Sequence, residues 1–201
     1  MNDFITNKCF EKYYLRFFLR CIIGELKPCF IFKTIGFPDS GYFSAADFGC
    51  GYGYYSMKLV GLKNCRVLYS LDKDDRRLDF IIKTSSKKKL SHKIEIIETD
   101  LSVETRLKSN SVNFGFCSFL LSELNAEGKK NFIKLCSESL TNGAVLYVSD
   151  YTDCQNIKNL GVKHAFSKND FAELISFFPE LQIYKSIGNK YSQSYFLKKN
   201  D

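Results

Sequence analysis

Two periodicities alternate along this chain: short continuous apolar runs, and longer stretches in which apolar residues recur every three or four positions. Runs at 43–48, 66–71, 93–98, 112–117 and 144–149 read as buried strands. Two more, 181–187 and 191–197, flank Gly188-Asn189 and read as a hairpin. Helical patterns fill the gaps at 54–63, after Asp72, at 126–140, and from Ser167 to about Phe178. Asn142-Gly143 is expected to stop the third of these helices, and Ser167 with Asp170 to cap the start of the fourth. Strands alternating with helices predict an α/β fold around a parallel sheet.

The chain before the first strand divides in two. Over 7–26, Phe10, Tyr13, Tyr14, Phe17, Phe18, Cys21 and Ile22 fall at steps of three and four, with Lys8, Glu11, Lys12, Arg16 and Arg20 between them. That is an amphipathic helix, packed on the core or over the mouth of a ligand site. Residues 27–42 carry Pro28, Gly36, Pro38 and Gly41 and read as a connecting loop. The expected organisation is a helical extension over 1–42 and one α/β domain over 43–201.

The first strand breaks abruptly into Gly49, Gly51 and Gly53 before a helix begins. Glycines at alternate positions admit conformations closed to other residues and let a ligand approach the backbone. The second strand ends at Asp72, where a doubly wound fold presents a carboxylate to the hydroxyls of a ribose. The nicotinamide fingerprint is G-x-G-x-x-G, whereas this chain reads Asp47-x-Gly49-x-Gly51-x-Gly53. That pattern resembles motif I of the class I S-adenosylmethionine-dependent methyltransferases.

The resemblance runs from about Phe43 to the end of the chain. It implies a Rossmann-like, doubly wound sheet of seven strands, mostly parallel, with an antiparallel C-terminal hairpin. It further implies S-adenosylmethionine as cofactor: Asp47, Gly49, Gly51 and Gly53 around its methionine part, Asp72 on the ribose, and Asp100 with Leu101 after the third strand at the adenine. The loop after the fourth strand, from Cys117 and Ser118 to Leu124, is where such enzymes touch cofactor and acceptor. A nucleophilic Cys117 is disfavoured against a packing one, because cytosine-C5 enzymes place Pro before their cysteine and Phe116 stands here. D/N-P-P-Y/F, common in enzymes acting on base amino groups, is also missing at this loop.

The remaining features narrow the picture. The opening Met1-Asn2-Asp3 has no basic region of the kind that starts a secretory signal, and no stretch is apolar enough to span a bilayer, so a cytoplasmic protein is expected. Eight cysteines include no C-x-x-C pair and are not grouped with His92 or His164, so no metal centre is expected. A net charge of +7 raises nucleic acid as a partner. Its densest cluster, Lys87-Lys88-Lys89 with Lys93, falls at the end of the sheet away from the ligand edge, where cations complement a helix terminus.

The activity implied is direct methyl transfer, in which the protein aligns a nucleophile and excludes water. Where the acceptor must lose a proton, Glu123, Asp150 and His164 are the candidate bases, and Tyr52, Tyr54 or Phe119 could face the sulfonium. A small-molecule oxygen or nitrogen acceptor leads. An RNA or protein acceptor, and a non-catalytic binding role, stay open, as does the oligomeric state.

Overall fold

The computed structural model describes residues 28–37, 41–152, 165 and 167–200. The 7–26 helix, Tyr13, Tyr14, Cys9, Cys21, Cys154 and His164 lie outside the described residues. Five helices are described: α1 Pro28–Ile35, α2 Tyr54–Leu59, α3 Asp75–Lys87, α4 Ala126–Ser139 and α5 Lys168–Ser176. The strands are β1 Phe43–Phe48, β2 Cys65–Asp72, β3 Ile94–Glu98, β4 Val112–Ser118, β5 Leu140–Tyr151, β6 Leu181–Gly188 and β7 Ser192–Lys199. They form one sheet in the order β3-β2-β1-β4-β5-β7-β6. The first five pair in parallel and the β5-β7 and β7-β6 pairs are antiparallel, as expected.

Alternation along the central strands divides the core between two faces. Ala45, Phe116 and Tyr147 join Ile31, Ile35, Tyr55 and Leu59 on the face covered by α1 and α2. Their neighbours Ala46, Cys117 and Val148 join Phe132, Ile133 and Phe171 beneath α4 and α5. Both faces are buried, so the strands read as apolar runs rather than as alternating ones.

Two local expectations are corrected. The first is α1, where a loop was expected. Pro28 occupies the first turn of the helix and Gly36, at φ 70°, follows its last residue, so both mark helix boundaries. Ile31 and Ile35, one turn apart, supply the buried stripe. The second is Asn142-Gly143, which does not stop α4. The helix runs to Ser139 and passes directly into β5, and 141–144 bulge out of that strand, since Leu140 pairs with Val112 and Val145 with Phe114. The carbonyls at the C-terminal end of α4 are met instead by Lys199, whose Nζ donates to those of Ser137 (2.8 Å) and of the capping Leu140 (2.7 Å).

The chain runs outward from β1 to β2 and β3, then returns to place β4 on the other side of β1. That reversal opens a crevice at the carboxyl ends of β1 and β4, where doubly wound folds bind ligands.

Candidate functional site

The three glycines of the β1-α2 turn all adopt left-handed conformations, with φ of 69°, 55° and 76° at Gly49, Gly51 and Gly53. What a side chain would meet differs at each. A Cβ on Gly49 would stand 3.1 Å from Leu120 Cδ2, and one on Gly53 only 2.7 Å from Ile81 Cγ1. A Cβ on Gly51 would have nothing within 4 Å. Gly49 and Gly53 therefore serve close packing, and Gly51 alone leaves room for a ligand against the backbone.

Gly51 is folded onto Asp72. Its N–H donates to Asp72 Oδ2 at 2.8 Å, and the Asp74 N–H donates to Oδ1 at 3.0 Å. Arg77 reaches down from α3, placing NH1 3.6 Å from Asp72 Oδ2 and Nε 3.3 Å from Asp74 Oδ2, with its guanidinium 6.0 Å from the centre of the Tyr52 ring. Asp74 caps α3 by accepting the Arg76 N–H, and the hydrogen bond from the Arg76 side chain is the main cause holding its pKa below the usual carboxylate range. Asp72 is buried, its side chain 7% exposed, yet each carboxylate oxygen has two lone pairs and acceptor capacity remains.

One strand further out, Asp100 accepts the Ser102 N–H (3.0 Å) and hydroxyl (2.7 Å) on Oδ1. The hydroxyl bond, then the N–H bond, lowers its pKa. The Thr99 N–H donates to the Asp72 carbonyl at 3.0 Å, so Asp72 and Asp100 sit on adjacent strand ends. Leu101 behind them is buried in the core beneath α4. Asp47, like Asp72, is buried, but it lies beneath the turn, with Oδ2 accepting the Ser56 hydroxyl at 2.6 Å, and Ser56 in turn accepts from Ser70 at 3.0 Å. It joins β1, α2 and β2 below the glycines.

The β4 side of the crevice is built from a turn. Ser118 and Cys117 are buried at the end of the strand, and burial, followed by the neighbouring Cys136, pushes the Cys117 thiol well up, as befits packing rather than a nucleophile. Phe119 follows with φ 58°, a conformation costing a side-chain-bearing residue about 1–2 kcal/mol. Its N–H donates to the Ser149 carbonyl at 2.8 Å, and its ring lies 4.5 Å from that of Tyr151 at the end of β5. Leu120 then packs on Gly49, and Leu121–Glu123 forms one 3-10 turn.

Of the candidate bases, Glu123 is exposed on this turn. Asp150 is 1% exposed: its Oδ2 accepts the Ser122 N–H at 3.0 Å and its Oδ1 the Tyr151 N–H at 2.7 Å. Burial pushes its carboxyl up to about 6, against the opposing pull first of a hydrogen bond from the Ser122 side chain, then of the Tyr151 and Ser122 amides and of Lys129. Tyr52 turns toward Phe80, 5.7 Å between ring centres, and Tyr54 toward Tyr55, 5.1 Å. The structure thus gathers Gly51, Asp72 and Asp100 at one side of the crevice, and Ser118, Phe119 and Tyr151 at the other. Sequence reasoning missed Ser56, and it placed Leu120 and Ser122 in the loop after β4 without the parts they play, which depend on how that loop folds back.

The seven-stranded order, the open glycine and the acids at successive strand ends are now in view. The chain has the fold of the S-adenosylmethionine-dependent methyltransferases. A methyltransferase of this kind from Aquifex aeolicus superposes with a TM-score of 0.73 at 17% identity, over 89% of this chain and 91% of that one. Geranyl diphosphate C-methyltransferase from Streptomyces coelicolor, solved with Mg2+, geranyl diphosphate and S-adenosyl-L-homocysteine, gives 0.71 at 9% identity, over 85% and 78%. The [4+2]-cyclase SpnF gives 0.69 at 11%, over 81% and 76%. No family model and no curated protein matches the sequence. A cyclase on the methyltransferase fold is a direct reminder that architecture alone does not fix a reaction.

Among the described residues, no helix is long and apolar enough to cross a membrane, and no group of three or more His, Cys, Asp or Glu side chains is arranged to hold a metal ion.

Proposed function

We propose that this chain is an S-adenosylmethionine-dependent methyltransferase with a small organic acceptor. The observation that carries the reading is that Gly51, with open space where a side chain would stand, gives its N–H to the buried Asp72 carboxylate. A vicinal diol fits the acceptor capacity left on Asp72, and the Gly51 backbone leaves room for the chain of the methionine part. Asp100 Oδ2 would take the adenine amino proton, with Leu101 beneath the ring, since Ser102 engages only Oδ1.

The cofactor supplies an electrophilic methyl group on sulfonium sulfur. This chain's residues bind, orient and exclude water. Phe119 and Tyr151 offer an apolar aromatic wall at the carboxyl ends of β4 and β5, which suits a small organic acceptor. Among the described candidate bases, Asp150 is engaged on both oxygens and Glu123 is exposed, which favours alignment over a strong base. The basic cluster stands against an RNA acceptor, because Lys87, Lys88 and Lys89 are exposed at the end of α3 opposite Asp72.

The test is incubation with methyl-labelled S-adenosylmethionine and separate panels of small alcohols, amines, thiols and carboxylates, total RNA, and protein lysate. Label entering a small-molecule fraction is the expected result. Label confined to RNA or protein would overturn the acceptor class, and cofactor binding without label in any fraction would favour a non-catalytic role.

A further inference from the structure

Asp150 was a candidate base from its position at the end of β5, yet its surroundings describe a different part. Both of its oxygens are turned inward, toward the Ser122 and Tyr151 amides. The Ser122 bond spans two elements: it ties the 3-10 turn that follows β4 to the last residues of β5. That turn begins with Phe119 in a left-handed conformation, which an isolated segment would leave readily, and continues with Leu120 seated on Gly49. A Cβ at Gly49 would press against Leu120 at 3.1–3.3 Å, tighter than ordinary packing. A contiguous path therefore runs from the Asp150 carboxylate through Ser122 and Leu120 to the first glycine of the ligand turn.

We propose that Asp150 is a positioning residue: its carboxylate fastens the post-β4 turn and so holds Leu120 against Gly49, fixing the wall between the glycine turn and the acceptor side of the crevice. The inference rests on the reading of that crevice as the S-adenosylmethionine site. It assigns Asp150 no contact with cofactor or acceptor.

Such a latch would not be served as well by an apolar residue. An N–H buried without an acceptor is costly, and the turn would open to satisfy Ser122 from solvent. A carboxylate accepts the N–H more strongly than a neutral group. The same burial that hides the latch raises its pKa, so it titrates in a mildly acidic range. Among the described residues, the charged and titratable groups facing it are Lys129 from α4 and Cys117 from β4, and Asp170 on α5 faces Lys129 in turn. Lys129 favours the ionised form, while burial opposes it.

The test uses the full chain and two readouts. The first is hydrogen exchange in residues 118–124, which needs no ligand. Asp150→Ala is expected to speed exchange there about tenfold or more relative to the wild type, and Asp150→Asn to restore most of the protection, because its amide oxygen still accepts the Ser122 N–H. The second is calorimetric affinity for S-adenosylhomocysteine between pH 5 and 7.5. Because the buried, fastened carboxyl holds its proton more tightly than a solvated one, acidification through about 6 favours the fastened turn: wild-type affinity is expected to rise as pH falls through about 6, and Asp150→Asn to lose that component. Unchanged exchange in Asp150→Ala, or a wild-type pH profile in Asp150→Asn, would overturn the proposal. A loss of protection spread over all strands in Asp150→Ala, with Asp150→Asn equally affected, would also overturn it, as a global defect. Failure of the wild type to bind S-adenosylhomocysteine, with the exchange result intact, would instead overturn the cofactor reading and leave the latch standing.

Discussion

The two walls of the crevice handle their acids in opposite ways. On the β2-β3 side, Asp74 and Asp100 accept hydrogen bonds near the surface that hold their pKa values down, and Asp72 accepts the N–H of Gly51. On the β4-β5 side, Asp150 is buried with its pKa raised, and the crevice meets Phe119 and Tyr151 instead. On the function proposed above, the first wall accepts donors from a polar ligand. The second is built to hold a shape, with a strained residue and a hidden ionisable group as its parts. Strain and buried charge of this kind concentrate at functional sites, where the surrounding structure keeps them in place.

Breaking the first wall should cost the most. Asp72→Ala removes the acceptor for Gly51 and for a ribose at once. Each hydrogen bond to a charged group contributes about 1.5–3 kcal/mol, so S-adenosylhomocysteine affinity should fall by two orders of magnitude or more, as read by calorimetry. Affinity within a few-fold of wild type would mean that the ligand does not use this acid.

The glycines sharpen the same contrast, because they separate packing from ligand access. Gly53→Ala adds left-handed strain and a Cβ 2.7 Å from Ile81, which together should cost about 2–4 kcal/mol of stability in denaturant titration. Gly51→Ala adds only the strain, about 1–2 kcal/mol, and should chiefly weaken S-adenosylhomocysteine. Equal losses of stability in the two variants would show that the open space at Gly51 is not a ligand path.

How far these parts could be read from the chain follows from their range. Apolar runs ended by Gly49 and by Asp72 are local signals, and they located β1, β2 and the turn between them. The capping box of α5 was legible for the same reason, with the Ser167 and Asp170 side chains exchanging bonds with each other's amides. Pro28 and Gly36 were visible but ambiguous, since the same residues punctuate loops and bound helices; only the burial of Ile31 and Ile35 decides between them. Asn142-Gly143 misled because the end of α4 is satisfied by Lys199, some 60 residues away in sequence. The division of labour among the three glycines was not legible at all. It depends on Leu120 and Ile81, which reach the turn from other elements.

The second wall makes a prediction about stability against pH, distinct from the affinity profile. The folded-state pKa of Asp150 is raised to about 6, above that of an ordinary carboxylate, so the folded chain binds its proton more tightly than the unfolded chain does. Its contribution to folding is therefore full below the unfolded pKa, near 4, and is lost as pH rises through about 6. Chemical denaturation should show about 1–3 kcal/mol less stabilisation from this group at pH 7.5 than at pH 4.5, and Asp150→Asn should flatten that component. A wild-type slope surviving in the variant would assign the titration to another group.

The smallest effects are expected outside both walls. Glu123→Gln changes an exposed side chain on the turn and should leave S-adenosylhomocysteine affinity within about twofold. Lys87→Glu with Lys88→Glu should do the same. α3 separates these lysines from Asp72 by about 20 Å, more than twice the screening length at physiological salt. A large loss from the lysine pair would bring the basic end of the molecule into the function and weaken the small-acceptor reading.

The most direct measurement is calorimetric titration of the wild-type chain with S-adenosylhomocysteine at neutral pH. The account predicts saturable binding of one ligand per chain with a dissociation constant in the micromolar range, roughly −8 kcal/mol. A folded protein that gives no binding heat with the ligand at millimolar concentration, and no ligand-induced change in melting temperature, would contradict it.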